Sequence, residues 1–239
     1  MKQIFSSIRI LAMKKDLALS FLKGILAGAA IGVGGFLYIL MTFLIKGELG
    51  KVLGSLLFAV GLFTVCTFYL HLYTGKIGLV YEGKQTKTFY ISLPVMILGN
   101  AVGAVGLGYI CFAIFRNLDI YQTALGAANV RLVFNSFDDF LSCSIKSLLC
   151  GLCVYLAVKS FSYKRISFVG TLLLVLFVFI FVYCGFQHCI ANMFYFSFAN
   201  RWCGEAAINL ALCILFNSIG PVIGVLLVKA NQKQGETNK

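Results

Sequence analysis

Five long stretches of this chain contain no Asp, Glu, Lys or Arg. They cover residues 24–45, 52–75, 88–115, 166–200 and 206–228. A helix that crosses the hydrocarbon core of a bilayer needs roughly 20 predominantly apolar residues, and each stretch reaches that length. A sixth stretch, residues 140–158, qualifies if Lys146, its only charged residue, faces the protein interior. The sequence therefore predicts an all-α membrane protein with six transmembrane helices.

Composition excludes a soluble globular protein. Hydrophobic residues make up 60% of the chain and charged residues 12%, with a mean hydropathy of +0.94. The loops between the predicted spans are too short for a separate soluble domain, so residues 1–239 are predicted to form a single transmembrane domain. Residues 1–23 are a polar, basic leader without a cleavage-site pattern, and we expect no removable signal peptide.

The net charge of +12 is distributed unevenly between the two predicted faces. With both termini in the cytoplasm, 14 Lys and Arg residues lie on the cytoplasmic side and 6 on the opposite side. This asymmetry is what the positive-inside rule expects. The basic charge therefore indicates orientation and attraction to anionic lipid rather than nucleic-acid binding. The leader and residues 229–239 are predicted to be cytoplasmic.

A weak internal duplication divides the chain into two halves. Residues 23–28 (KGILAG) resemble residues 146–151 (KSLLCG) at an offset of 123, which Phe58 and Phe181 share. Residues 98–103 (LGNAVG) resemble residues 219–224 (IGPVIG) at an offset of 121. Three predicted spans separate the copies, so the second copy is expected to run inverted relative to the first. The predicted repeats are residues 24–115 and 139–228, and such repeats place a site near the midplane.

Each half contains a segment in which a helix is expected to break. The first is residues 70–75 (LHLYTG), where Gly75 is predicted to end a helical run, and the second is residues 185–194 (GFQHCIANMF). Broken helices at membrane depth persist only where their freed backbone groups face protein or a water-filled cavity. We therefore expect the second and fifth helices to be broken, with the two breaks facing each other. Gly24, Gly28 and Gly32 share one face of the first span and predict close helix packing.

His188 lies in a stretch, residues 166–200, that contains no charged residue. An imidazole titrates near neutral pH, and an ionisable group inside a membrane span usually marks an ion or proton path. Most of the nine Cys residues lie in predicted spans, where Cys behaves as a small hydrophobe. Cys150 and Cys153 form a C-x-x-C pair without a nearby His or second pair, which favours packing over metal or redox chemistry. We expect no metal site and no cofactor.

Four segments together resemble the formate/nitrite transporter family. Residues 185–194 (GFQHCIANMF) resemble its G-F-E-H-S-x-A-N-M-F signature, and residues 72–75 (LYTG) resemble its L-F-T-G loop. Residues 98–103 are similar to its G-N-x-x-G third span, and residues 149–158 (LCGLCVYLAV) to its L-C-N-x-x-V-C-L-A-V fourth span. The resemblance extends over nearly the whole chain, with matching order and length of the spans.

The resemblance implies an aquaporin-like six-helix protomer that assembles as a homopentamer in a bacterial cytoplasmic membrane. Its function would be to pass small monovalent anions of weak acids, such as formate, nitrite or hydrosulfide, and not to act as an enzyme. Residue by residue, it implies a pore histidine, a loop hydroxyl facing it, an outer and an inner constriction, and an amide at the break of the fifth span. These are, in that order, His188, Thr74, Phe58 with Phe181, Leu72 with Tyr73, and Asn192.

The chain departs from the family pattern at several positions. Gln187 stands where the family has Glu before the central His, and His71 where it has an acid three residues before the loop Thr. Both are expected on or beside the substrate path. Aligned on the glycines, the last-span G-N-x-x-G-G reads GPVIGV, which puts Pro221 in the place of Asn.

The family's vestibule Lys falls on Asn135 when counted back from the fourth span. Either Lys146 or Arg131 then takes over its role, or anions are attracted differently. Losing two acids makes the path less negative, which favours anions.

Two other functional classes remain compatible with six apolar spans. A neutral small-solute channel of aquaporin-like architecture fits the inverted repeat, although the twin N-P-A boxes are absent. A membrane-embedded enzyme or electron carrier would use the two His residues and the thiols as ligands. No ligand spacing or nucleotide motif supports that class.

Overall fold

The computed structural model describes residues 2–83, 85–163 and 167–237, with side chains for 11–83, 85–162 and 167–230. Outside these ranges lie Met1 of the predicted leader, Asn238 and Lys239 of the predicted tail, Lys84, Lys164, Arg165, and Ile166, the first residue of the uncharged stretch 166–200. Within the described ranges all regular structure is helical. The eleven helices are α1 (Lys2–Leu44), α2 (Glu48–Thr67), α3 (Tyr73–Lys76), α4 (Leu79–Glu82), α5 (Lys87–Phe115), α6 (Ile120–Asn129), α7 (Phe137–Tyr163), α8 (Phe168–Tyr183), α9 (Cys189–Phe198), α10 (Gly204–Ile219) and α11 (Pro221–Thr237).

Five helical segments of the described chain are long and apolar enough to cross a membrane. They are Leu11–Leu44, Glu48–Thr67, Lys87–Phe115, Phe137–Ser162 and Gly204–Ala230. The last of these combines α10 with the beginning of α11. Two shorter apolar helices, α8 and α9, come between the fourth and fifth segments. The uncharged stretch 166–200 is therefore divided between two helices.

The leader is continuous with the first apolar segment. Helix α1 runs for 43 residues from Lys2 to Leu44 without interruption. No helix end marks the predicted boundary at residue 23, because the sequence around Lys23 contains neither a proline nor a glycine in a left-handed conformation.

Helices α2 and α8 end in the same kind of turn. After α2, Tyr69 has φ of 53°, and the amide of Leu70 donates to the carbonyl of Val65 at 2.9 Å. After α8, Gly185 has φ of 69°, and the amide of Phe186 donates to the carbonyl of Phe181 at 2.8 Å. A left-handed residue with a bond that closes the last turn is a common helix terminus. After each of these turns the backbone continues as a short loop.

The position of the first break differs from the sequence prediction. Helix α2 ends at Thr67, and Gly75 lies inside the short helix α3. The prediction that Gly75 ends a helical run was therefore wrong. The left-handed residue of the turn is Tyr69, and a tyrosine in this conformation leaves no sequence signal of the kind that glycine gives.

Close helix crossings bring the two broken segments into the interior. A Cβ atom on Gly28 of α1 would overlap the backbone of Asn100 in α5, and one on Gly151 of α7 would overlap the backbone of Asn217 in α10. The predicted close packing along α1 is thereby confirmed. Helix α9 contacts α1, α5, α6 and α10, and all ten of its residues are buried. The loop that precedes α9 consequently lies at the centre of the fold.

Candidate functional site

His188 and Thr74 meet where the two broken segments face each other. The Thr74 Oγ1 atom lies 2.9 Å from His188 Nε2, and both side chains are buried, with exposed fractions of 1% and 3%. The two residues are 114 positions apart in the chain. The structure thus brings together the histidine and the hydroxyl that the sequence indicated.

The hydrogen bonds of His188 define the tautomer of the neutral ring. His188 is the N-cap residue of α9, and its Nδ1 atom accepts a bond from the amide of Ala191 at 3.1 Å. Since a backbone N–H can only donate, Nδ1 carries no proton in this arrangement. The proton of a neutral ring is then on Nε2, which donates to Thr74 Oγ1. The hydroxyl hydrogen of Thr74 is left to point toward another acceptor.

Two aromatic rings cover one side of this pair. The ring centroids of Phe58 on α2 and Phe181 on α8 are 5.7 Å apart in an edge-to-face arrangement of 84°, a favourable geometry for aromatic pairs. Phe181 is also stacked against the His188 ring, with centroids 5.9 Å apart and planes at 21°. Both phenylalanines are buried. An apolar layer therefore separates His188 from the end of the molecule at which α2 begins.

Leu72 and Tyr73 lie on the other side. Leu72 has an exposed fraction of 1% and lines a cavity together with Val65 near the end of α2. The Tyr73 hydroxyl lies 2.8 Å from Ser218 Oγ, which turns its ring toward α10. The predicted inner pair is thus divided, because Leu72 faces the cavity whereas Tyr73 is tied to a neighbouring helix.

Asn100 of α5 holds the loop between α2 and α3. Its Nδ2 group donates to the carbonyl of Gly24 at 2.9 Å and to that of His71 at 2.8 Å. Its Oδ1 atom accepts from the amide of Tyr73 at 2.8 Å. A single buried amide therefore binds two backbone groups of this loop and one carbonyl of α1.

Asn217 of α10 does the same for the loop between α8 and α9. Its Nδ2 group donates to the carbonyl of Ser147 at 2.7 Å and to that of Gln187 at 2.8 Å. Its Oδ1 atom accepts from the amide of Cys189 at 2.9 Å. The two loops are consequently anchored by matching sets of three hydrogen bonds.

These contacts change the predicted alignment of the two halves. The contacts of Asn100 match those of Asn217, and the surroundings of Gly103 match those of Gly220, since a Cβ atom on either glycine would meet a carbonyl of α1 or α7 respectively. The sequence alignment that placed Pro221 opposite Asn100 was shifted by four residues. Neither asparagine was predicted as a site residue. The signal available in the sequence was the repeated N-x-x-G, in residues 100–103 and 217–220.

Asn192 links three elements beside His188. Its Nδ2 group donates to Gln187 Oε1 and to Asn209 Oδ1, each at 2.8 Å. Its Oδ1 atom accepts from Arg131 Nε at 3.0 Å. Asn192 lies in the first turn of α9, four residues after the loop ends at His188, so it follows the break instead of occupying it. Gln187 is held by this network through its side chain and by Asn217 through its carbonyl.

Arg131 is a cation that contacts the predicted site through Asn192. It stands just after α6, its guanidinium lies 4.3 Å from the centroid of the Tyr195 ring, and it also donates to the carbonyl of Ala127. It lines a cavity of about 340 Å³ that includes Lys51, and a second of about 70 Å³ that includes Lys146. Lys146 is half-buried in this smaller cavity.

Two predicted positions lie away from the Thr74–His188 pair. The amide of Asn135 donates to Asp139 Oδ2 at 2.9 Å on the exposed turn before α7. The His71 ring is directed to α1, where Nδ1 lies 3.1 Å from Ser20 Oγ. Asn135 was identified by counting back from the fourth span, and the backbone of His71 belongs to the loop that Asn100 binds. These two positions are therefore not brought together with His188.

Known proteins resemble this chain in both sequence and fold. A family model described as formate/nitrite transporter matches residues 10–231. The chain is similar to the formate channel FocA of Haemophilus influenzae, with 30% identity over 188 residues. That alignment covers 74% of this chain and 64% of the relative, so the chain spans less than two thirds of the relative's length.

Two solved structures are similar over almost the entire chain. A pentameric formate channel with formate bound has a TM-score of 0.79 at 25% identity, covering 92% of this chain and 99% of the other. An ion channel of the FNT family has a TM-score of 0.75 at 19% identity, covering 93% and 92%, and supports the fold alone. The apolar helices and these matches identify an integral membrane protein. The chain belongs to the formate/nitrite transporter family, whose members are transporters rather than enzymes.

Proposed function

We propose that this protein moves small monovalent anions of weak acids across the bacterial cytoplasmic membrane, with His188 linking passage to protonation. Formate, nitrite and hydrosulfide are the anions of this class. The observation that carries the proposal is the buried Thr74–His188 pair at the meeting point of two helix breaks. Phe58 and Phe181 form an apolar layer against the His188 ring, Leu72 lines a cavity near the end of α2, and Arg131 lines another cavity.

We propose six transmembrane spans with both termini in the cytoplasm. Five are the long apolar helical segments, and the sixth is formed by α8 and α9 together. Residues 24–115 and 139–228 would be two inverted repeats, broken in the second and fifth spans. The matching turns after α2 and α8 and the matching bonds of Asn100 and Asn217 support this duplication.

The path we propose follows the order of these features along the molecule. An anion enters the cavity near Arg131, passes Phe58 and Phe181, and reaches His188 and Thr74. Arg131 takes the vestibule role through its contact with Asn192, and Lys146 contributes from the smaller adjoining cavity. The anion leaves past Leu72 on the side where α2 ends. Gln187, Asn192 and His71 position the path without forming its narrowest part.

Protonation lowers the main barrier on this path. A bare ion costs many kcal/mol to transfer into a low-dielectric medium, whereas a neutral acid costs far less. We propose that His188 takes up a proton from water and gives it to an anion that has passed Phe58 and Phe181, and that the resulting neutral acid crosses the remaining apolar layer at Leu72. A second proton on the ring must displace the Nδ1 bond from Ala191, so the doubly protonated ring is a transient species.

We propose that the chain assembles as a homopentamer around separate pores in the lipid bilayer. The support is the similarity to a solved structure titled a pentameric formate channel with formate bound. Many large apolar side chains are exposed on the isolated protomer, including several on α5. In the membrane they would face lipid or neighbouring protomers.

Formate flux into proteoliposomes across a range of pH values tests the proposal. The variant His188→Asn keeps a residue that can cap α9 but cannot carry a proton. The matched control is His71→Asn, since the chain contains only these two histidines. We expect formate flux that rises as the pH falls, loss of this pH dependence in His188→Asn, and its retention in His71→Asn.

Two results would contradict the proposal. An unchanged pH profile in His188→Asn would rule out the role of the ring in protonation. Water flux without any flux of formate, nitrite or hydrosulfide would assign the protein to the neutral small-solute channels instead.

A further inference from the structure

The cavity on the Leu72 side is lined by one positively charged residue, Lys76. Its volume is about 280 Å³, and its walls come from the end of α2, the loop that follows, α3 and the end of α7. Most of its lining is apolar. Its lining includes Val65, Cys66, Leu72, Lys76 and Phe161. Among the residues that line it, Lys76 is the one with a charged side chain.

Lys76 has no acidic partner in the described part of the chain. The ion pairs there are Lys51 with Glu48 and Lys159 with Glu82, and neither includes Lys76. The groups that interact electrostatically with it are the Cys66 thiol and a second cation, Lys23. Lys76 is nevertheless half-buried. A cation that is partly withdrawn from water is unfavourable unless an anion accompanies it.

The position of Lys76 relates this cavity to the proposed path. Lys76 follows Thr74 by two residues on the short helix α3, and Leu72 is part of the cavity wall. A ligand in the cavity would therefore lie beside Leu72, which precedes Thr74 by two residues. An anion bound here would stand at the inner gate, on the side opposite Phe58 and Phe181.

The volume of the cavity suits a small hydrated anion. A water molecule occupies about 30 Å³ in the liquid, so 280 Å³ accommodates a formate-sized ion together with several water molecules. The ion would keep part of its hydration shell and exchange the rest for the lysine ammonium group.

We propose that this cavity is an anion-binding site in which Lys76 supplies the positive charge, and that it concentrates the transported anion at the Leu72 gate. The inference rests on the proposed anion transport and adds a binding site on the cytoplasmic side of the gate. Its ligands are monovalent anions of the size of formate. For transport that starts at the cytoplasmic face, binding precedes the gate, so the lysine governs the concentration at which transport in that direction saturates more than its maximal rate.

Formate uptake by inverted membrane vesicles, which present the proposed cytoplasmic face to the medium, tests the site. The variants are Lys76→Met, which removes the charge, and Lys76→Arg, which retains it. The control is Lys87→Met, which removes one exposed charge near the same end of the molecule without touching the cavity. We expect the KM for formate to rise about three- to tenfold in Lys76→Met, from the loss of one nearby charge. Lys76→Arg and Lys87→Met should stay within about twofold of the wild type.

Cys66 provides a second readout that does not depend on transport. It lines the same cavity, and in a background with the exposed Cys184 and Cys203 replaced by Ser, it reports on reagents that enter. The rates of modification by an anionic and a cationic methanethiosulfonate are compared as a ratio, which cancels the reactivity of the thiol itself. We expect Lys76→Met to lower the anionic-to-cationic ratio about tenfold.

The two readouts separate this inference from the proposed function. An unchanged KM and an unchanged reagent ratio in Lys76→Met would overturn the binding site even if formate flux is normal. Wild-type protein that carries none of formate, nitrite and hydrosulfide would refute the proposed function. In that case a fall in the reagent ratio still supports anion binding in the cavity, and an unchanged ratio overturns it.

Discussion

A chain of hydrogen bonds at the residue scale decides what Thr74 and His188 can offer a ligand. The amide of Ala191 donates to Nδ1, which leaves the neutral ring with its proton on Nε2, directed to Thr74. The Thr74 oxygen is then an acceptor toward the ring, and its hydrogen is available for an anion. Because both side chains are buried, such a hydrogen bond is formed away from competing water.

Replacing Thr74 tests this arrangement. A hydrogen bond to a charged partner contributes about 1.5–3 kcal/mol, which corresponds to roughly a tenfold to hundredfold change in rate. We therefore expect Thr74→Val to lower formate flux in proteoliposomes by at least about tenfold. The variant Thr74→Ser keeps the hydroxyl and should remain within about threefold of the wild type. Equal flux in the valine and serine variants would show that the hydroxyl takes no part in passage.

The two loops at the element scale owe their shape to residues on other helices. Asn100 and Asn217 each make three hydrogen bonds to backbone groups, and these groups belong to the broken segment and to the helix next to it. Without them, buried amides and carbonyls would have no partner, at about 1–3 kcal/mol for each group. The asparagines thereby stabilise the two loops and position Thr74 against His188.

Removing one anchor is expected to loosen its loop. We predict that Asn100→Ala lowers the free energy of unfolding in detergent by about 2–4 kcal/mol, since buried backbone groups lose their partners. Thermal unfolding followed by circular dichroism measures this change. The control is Asn129→Ala, because Asn129 is exposed at the end of α6. Similar melting temperatures for the two variants would contradict the anchoring role.

Apolar surface dominates the exterior at the scale of the whole molecule. Large hydrophobic side chains are exposed along several helices, including Leu98, Val102, Ile110 and Ile114 on α5. Exposed apolar surface of this extent needs lipid or other protomers as a neighbour. The described ion pairs lie near the ends of the helices, away from this apolar surface. Lys51 pairs with Glu48 at the start of α2, and Lys159 pairs with Glu82 of α4.

The proposed assembly has a direct measurement. Native mass spectrometry of the detergent-solubilised protein should show a species of five times the 26.2 kDa chain mass. Lower oligomers are expected only as detergent concentration is raised. A stable species with any other number of chains under mild conditions would contradict the homopentamer.

Part of the site was predictable because its residues carry a local signal. A titratable ring in the uncharged stretch 166–200 is conspicuous in the sequence, and Phe58 and Phe181 share an offset with the repeated glycine segment. Arg131 and Asn217 gave weaker signals. Arg131 was one of two alternatives for the vestibule cation, and its contact with Asn192 joins residues 61 positions apart. Asn217 lies in a repeated N-x-x-G, but its offset of 117 from Asn100 differs from the offsets of 121 and 123 of the other matched segments, so an alignment based on those offsets missed it.

The sequence by itself determined that the chain is a helical membrane protein, because the thickness of the bilayer sets how long an uncharged apolar stretch must be, and that length is a local property of the sequence. It also determined the family, through motifs whose residues are close together in the chain. The tertiary structure alone decided where α2 ends, which asparagines hold the loops, and that His188 meets Thr74 across 114 positions. Hydrogen-bond partners of buried backbone groups are supplied by distant helices, so they emerge only when those helices pack.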